Sequence, residues 1–239
     1  MSIDPVRATP AALPPARPPL FFQHVRRQMP DYAFRVIFDV GANIGQSCTA
    51  FAVAAPEAEV IHAFEPVAST FAVLAGNVAA NPRIKPCHAA LGATSGEAMM
   101  TARALSTNNR VIPARPGARN TESVTILTGD QFCAHHGIEA ISYLKIDTEG
   151  HDLDVLKGFA GTLPRIDFVQ VEASMNPYNT LHAPFRALED LLRDAGFLLF
   201  QFYDQTFQNQ LPVLRRANPV FIHSRFYEAA KALKDAQGA

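Results

Sequence analysis

The stretch Val36-Ile37-Phe38-Asp39-Val40-Gly41-Ala42-Asn43-Ile44-Gly45 constrains the fold more than any other part of the chain. A short, β-branched apolar run bounded by turn residues reads as a buried strand. Strands of that kind occur in parallel sheets covered by helices on both faces. Two glycines then turn the chain into residues 46–55, which read as a helix stopping before Pro56. Gly41 permits the turn, and Gly45 is expected to let the helix start close to a ligand, whose polar groups would meet the free N–H groups there. Strand, tight loop and helix N-terminus together open a nucleotide-binding α/β domain.

The next apolar run, residues 59–64, ends in Glu65, twenty positions past Gly45. An acid at the tip of the second strand is placed to accept hydrogen bonds from both hydroxyls of a ribose. The loop departs from the dinucleotide fingerprint, because Asn43 stands where a glycine must let the backbone approach a pyrophosphate. A nucleoside without phosphates fits better, and S-adenosyl-L-methionine (SAM) is the expected cofactor.

Composition narrows the class. With 239 residues, 48% of them hydrophobic, the chain is long enough for one sizeable core. Its net charge is −1 and it has no basic run, so no surface is prepared to neutralise a series of phosphates, and nucleic acid is not an expected partner. Cys48, Cys87 and Cys133 are widely spaced and odd in number, which suits buried thiols in a reducing, cytoplasmic setting. No apolar run reaches the roughly 18–20 residues that span a bilayer.

Taken in order, residues 1–19 hold Pro5, Pro10, Pro14, Pro15, Pro18 and Pro19 and read as a disordered arm. Residues 20–239 read as one domain. A short amphipathic helix over 20–29 is expected to pack on the first strand or help cover the site. Pro66 opens a helix running to about 80, and residues 84–91 read as a third strand. Residues 93–121 break the alternation with a hairpin around Gly96 and an irregular loop, expected, with 174–184, to select the acceptor. Residues 122–127 resume as a strand-like segment leading into a helix through Cys133. The fourth strand, 141–146, is tipped by Asp147, and the fifth, 166–171, by Glu172. Residues 197–203 and 219–223 read as an antiparallel pair at the sheet edge.

Three segments carry a family likeness: Asp39 to Gly45, Phe64-Glu65-Pro66, and Leu144-Lys145-Ile146-Asp147-Thr148-Glu149-Gly150-His151. Together they resemble the FkbM-type methyltransferases, a branch of the class I SAM-dependent enzymes, over residues 34–223. The resemblance implies a Rossmann-like α/β fold with a seven-stranded, mostly parallel sheet, one antiparallel edge strand and helices on both faces. It also implies methyl transfer, often to a hydroxyl of a sugar, glycan or other small molecule. The oligomeric state stays open.

The expected cofactor set is Asp39, Gly41, Ala42, Asn43 and Gly45 around the methionine end, Glu65 on the ribose, and Pro66 with Leu91 sandwiching the adenine. Asp39 has two readings, a structural brace for the loop or a water-mediated partner of the methionine ammonium. Asp147, His151 and Glu172 are the candidate catalytic residues, with His151 a base or orienting group. Asp147, Glu172 and His151 are also an oxygen-rich set of the kind that holds Mg²⁺, yet strand-tip carboxylates commonly stand without metal, and none is expected here. The competing readings are an NAD-dependent oxidoreductase and a non-catalytic SAM-binding scaffold. Asn176-Pro177-Tyr178 reads as a loop near the acceptor, and Cys133-x-His135-His136 as a helix end.

Overall fold

The computed structural model describes residues 18–103, 109–113, 119–209 and 211–237. The first seventeen residues of the expected Pro-rich arm lie outside them.

The chain runs α1 (Leu20–Gln28), β1 (Val36–Val40), α2 (Gln46–Ala54), β2 (Val60–Phe64), α3 (Ala68–Val78), β3 (Ile84–Cys87), β4 (Ala90–Leu91), β5 (Gly96–Thr101), β6 (Val111–Ile112), β7 (Thr121–Leu127) and α4 (Gly129–His136). It continues through β8 (Ile141–Ile146), α5 (Asp152–Lys157), β9 (Ile166–Gln170), β10 (Ala173–Ser174), β11 (Ala183–Pro184), α6 (Phe185–Asp194), β12 (Phe197–Phe207), β13 (Leu214–His223) and α7 (Arg225–Gln237).

The main sheet is mixed and has nine strands. The order is β11-β10-β13-β9-β8-β1-β2-β3, with β12 paired to β13. Strands β3, β2, β1, β8 and β9 are parallel, as their apolar runs and intervening helices require. The expectation of seven strands is corrected by two short additions. After β9 the chain breaks step at Val171 and Glu172, re-pairs with β13 as β10, and β11 returns beside it. The antiparallel strand is also not at the edge. β12 and β13 form a long hairpin, and β13 folds back against β9, leaving β12 outside it.

Side-chain alternation sorts the core onto the two faces of the sheet. Ile37, Tyr143 and Phe168 share one register row and one face, where α1 buries Phe21, Phe22 and Val25. Full burial of each such side chain contributes on the order of 1.5–3 kcal/mol. The adjacent row, Phe38, Leu144 and Val169, faces the opposite core with Phe132, Leu156 and Phe159. The next row is Asp39, Lys145 and Gln170, which returns to the α1 face and places polar groups directly above the aromatic core.

The segment expected to be one third strand is two. β3 stays in the main sheet, while β4 joins a second sheet ordered β4-β7-β5-β6. Gly96–Thr101 and Thr121–Leu127 are therefore ordered by pairing, because β5 and β7 run antiparallel through six residue pairs. The segment 104–108 and 114–118 of the expected irregular loop lies outside the described residues.

Candidate functional site

The β1–α2 loop carries three left-handed residues, Gly41 (φ 80°), Asn43 (φ 49°) and Gly45 (φ 97°). Gly41 is required because a Cβ there would stand 1.9 Å from the Asp147 carbonyl oxygen, so the loops after β1 and β8 touch backbone to backbone. Gly45 is constrained by packing. A Cβ on it would meet Leu74 at 2.9 Å and Val78 at 3.2 Å, so its lack of a side chain serves the packing of α2 on α3.

Two cavities flank these loop tips. The smaller, about 300 Å³, is lined by Gly41, Asn43, Glu65, Pro66 and Leu91 among the expected cofactor residues. Its outer wall is the second sheet, through Met100, Val111 and Ile126, with Asn109 beside them. The larger, about 730 Å³, lies on the α1 side, against His24, Gln170, Gln201, Tyr203 and Asn218. Gly41, Asn43, Asp147 and Glu149 line both cavities, so the two meet at these residues.

Glu65 is buried, and its carboxylate accepts from the backbone N–H groups of Asn43 (3.1 Å) and Val67 (2.9 Å). Burial pushes its pKa up to about 7, with those two hydrogen bonds opposing. Asp39 is fully buried and lines neither cavity. It accepts from Lys145 Nζ at 2.9 Å and from the Ser47 hydroxyl at 2.5 Å, contacts that tie β1 to β8 and to the start of α2. Lys145 also reaches Asp147 Oδ2 at 3.3 Å, and the two carboxylates outweigh burial to hold its ammonium charged. Ala42 lines the larger cavity alone, and Gly45 neither.

The expected catalytic residues separate. Asp147 stands at the junction of the cavities, Glu172 lines the larger one, and His151 faces the smaller, with Nδ1 3.9 Å from Asp154. Residues 93–121, expected to select the acceptor, border the smaller cavity where they are described. Their described lining residues, Ala93, Thr94, Met100, Asn109 and Val111, all face the smaller cavity, because β5 and β6 belong to its wall. The larger cavity is walled instead by α1, β12 and β13. In the 174–184 segment, Asn176 and Asn179 tie the loop to Leu214 and Arg215 carbonyls, and Tyr178 points into solvent.

Sequence reading missed a support beneath the junction. Asp152, fully buried, accepts from the Glu172 N–H (3.0 Å) and the Thr148 hydroxyl (2.8 Å), joining the loops after β8 and β9. It also missed His182, whose Nε2 lies 2.8 Å from Glu172 Oε2 and 3.7 Å from Glu149 Oε2. Glu149 has φ 52°, and Gly150 behind it packs so closely that a Cβ would stand 2.2 Å from the Leu181 carbonyl oxygen. That contact sets Glu149 against His182. Burial raises the Glu149 pKa to about 6, helped by Glu172 and Asp147. Burial alone would lower the His182 pKa, but Glu172 and Glu149 overcome it and raise it. The signal was present in the Gly150 motif, but the partner lies some thirty residues on with nothing local to mark it.

A parallel-centred α/β sheet with cavities at the carboxyl ends of its strands is the architecture of class I methyltransferases. Residues 39–199 match the methyltransferase FkbM domain, and the chain belongs to that family. It is 30% identical over 138 residues to the hexuronic acid methyltransferase AglP of Haloferax volcanii, covering 57% of this chain and 55% of that protein. The structure of an FkbM methyltransferase from Methylobacillus flagellatus superimposes with a TM-score of 0.52 at 13% identity, over 87% of this chain and 48% of that one. The chain thus spans about half the length of these relatives. Among the described residues no helix is long and apolar enough to cross a membrane.

Proposed function

We propose that the chain transfers a methyl group from SAM, held in the smaller cavity, to a hydroxyl of a sugar or similar polyol held in the larger one. The observation that carries this reading is the meeting of the two cavities at Gly41, Asn43, Asp147 and Glu149. A sulfonium methyl on one side and an acceptor oxygen on the other would face each other there, as an in-line displacement requires.

Glu65 takes the ribose hydroxyls with the lone pairs its two backbone bonds leave free. Pro66 and Leu91 hold the adenine, and Gly41 and Asn43 admit the methionine end. His151 belongs to this side. In the larger cavity Gln46, Gln170, Gln201 and Asn218 offer paired donors and acceptors, with Phe21, Phe202 and Tyr203 as apolar faces. Amides beside aromatic rings suit a polyhydroxylated ring. The acceptor of the Haloferax volcanii relative, a hexuronic acid, is of that chemistry.

In the reaction the acceptor oxygen forms a bond to the methyl carbon while the carbon–sulfur bond breaks. The electron pair stays on sulfur, giving S-adenosyl-L-homocysteine. The acceptor hydroxyl donates to Asp147, which takes its proton and passes it to solvent. Lys145, fixed between Asp39 and Asp147, keeps that carboxylate in place. SAM labelled in its methyl group, incubated with hydroxylated acceptors, tests the reading. The expected product is a labelled methyl ether, strongly reduced in Asp147→Asn. Label found only on nitrogen would refute it.

A further inference from the structure

Glu149, Glu172 and His182 come from three separate segments, yet each presents one ligand atom within 4.8 Å of the others. Two of the three are nine-tenths or more buried, Glu172 at 4% and His182 at 7% exposure. Buried charges and imidazoles at such spacing need a reason, because taking them out of water is costly unless each is satisfied.

The surrounding hydrogen bonds fix which atoms face inward. Asn179 donates its amide N–H to the Arg215 carbonyl (3.2 Å), which turns its Oδ1 toward the Leu181 N–H (3.2 Å) and His182 Nδ1 (3.0 Å). Nδ1 therefore carries a proton, and Nε2 is aimed at the two carboxylates. Arg216 pairs with Glu172 through Oε1, leaving Oε2 directed at His182. Oε2 and Nε2 are 2.8 Å apart, an ion pair when His182 is protonated, yet by hydrogen-bond geometry neither atom has a partner among the described residues. Two buried atoms this close without a hydrogen-bond partner, with Glu149 Oε2 3.7 Å from Nε2, are spaced to serve as ligands of a third centre. An imidazole held by a partner on its far nitrogen is also the usual arrangement around a metal.

We propose that Glu149, Glu172 and His182 form a binding site for a divalent transition cation, of the Mn²⁺ or Zn²⁺ class, at the edge of the larger cavity. One imidazole with two carboxylates suits these ions better than Mg²⁺, which favours oxygen ligands and retained water. Glu149 and Glu172 both line the larger cavity, so the remaining coordination positions open toward the acceptor. Arg216 offsets one of the two carboxylate charges and leaves the set attractive to a dication. The use of this ion, polarising an acceptor hydroxyl, rests on the methyl-transfer reading. The site itself does not.

The test uses the full chain, stripped with EDTA and dialysed, with no SAM present. Mn²⁺ is titrated and the free ion followed by its paramagnetic resonance signal, and Zn²⁺ and Mg²⁺ are titrated by calorimetry. One saturable site per chain is expected, with Mg²⁺ the weakest of the three. His182→Gln should abolish saturable binding, and Asn179→Ala should weaken it ~10–100-fold by freeing the imidazole. Circular dichroism checks that both variants fold. A second readout needs no variant: in the wild-type chain labelled with ¹⁵N, Zn²⁺ should shift the Nε2 resonance of one histidine while its Nδ1 keeps its proton. Absence of saturable Mn²⁺ and Zn²⁺ binding, undiminished binding in folded His182→Gln, or an unshifted histidine spectrum would each overturn the proposal. S-adenosyl-L-homocysteine titrated into the same preparation separates the two readings. A chain that binds it but no cation loses only the cation site, and the converse result removes only the methyl-transfer reading.

Discussion

Lys145 and Asp39 are register partners on adjacent parallel strands, with Nζ and Oδ1 2.9 Å apart and both side chains closed off from solvent. Below them lies the Tyr143 and Phe168 core, and above them Asp147 stands at the junction of the cavities. The pair thus converts the apolar interior of the sheet into the polar floor of a site. Removing one partner strands a buried charge, which typically costs about 3–5 kcal/mol.

Lys145→Met should therefore destabilise the chain by about that amount, measured by urea unfolding. Combining it with Asp39→Asn should recover much of the loss, since no charge is then left unpaired. Additive losses in the double variant would mean that the two side chains act independently.

Glu65 gives a pH dependence. Its pKa of about 7 in the free chain is raised by burial, and ribose hydroxyls donate to the ionised carboxylate. SAM affinity should rise with pH up to about 7 and level off above it. The linkage for stability has the opposite sign. The folded chain holds this proton more tightly than the unfolded chain, so the Glu65 contribution to stability falls as pH rises from the ordinary carboxyl range through about 7. Glu65→Gln should flatten both profiles and weaken SAM by about 1.5–3 kcal/mol in calorimetry. It should also cost stability, because one of the Asn43 and Val67 N–H groups loses its acceptor.

The two loop glycines should fail differently. Gly45→Ala meets Leu74 and Val78 side chains at a left-handed position, for a loss of about 1–2 kcal/mol, with SAM affinity retained in the folded fraction. Gly41→Ala runs into the Asp147 backbone, so it should move the junction and lose SAM binding as well. Thermal melts and calorimetry on both variants distinguish these outcomes.

His151→Ala should weaken SAM, seen as a raised KM for SAM, while kcat and its pH profile change little. His151 lines the smaller cavity and not the larger. A kcat lowered ~10²–10⁴-fold with loss of pH dependence would instead make it the general base.

The parts of this architecture visible in the sequence were those with local signals. Strand periodicity, the Gly41 turn and acids ending apolar runs located β1, β2, β8 and β9, and with them Glu65, Asp147 and Glu172. Contacts at long sequence separation were not visible. Nothing near His182 marks its approach to Glu149, and the reason for Gly45 lies on α3. The β5–β7 pairing was hidden because its strands are half-exposed, with Asn-, Arg- and Pro-rich sequence between them. The hairpin expected around Gly96 and the strand-like segment 122–127 were consequently not joined into one sheet, and residues 93–121 were assigned to the acceptor.

The most direct test of the central claim is calorimetry of the wild-type chain with S-adenosyl-L-homocysteine, with NAD titrated in parallel. Saturable 1:1 binding of S-adenosyl-L-homocysteine, weakened in Glu65→Gln, is expected, with no heat from NAD. Binding of NAD without binding of S-adenosyl-L-homocysteine would contradict that claim.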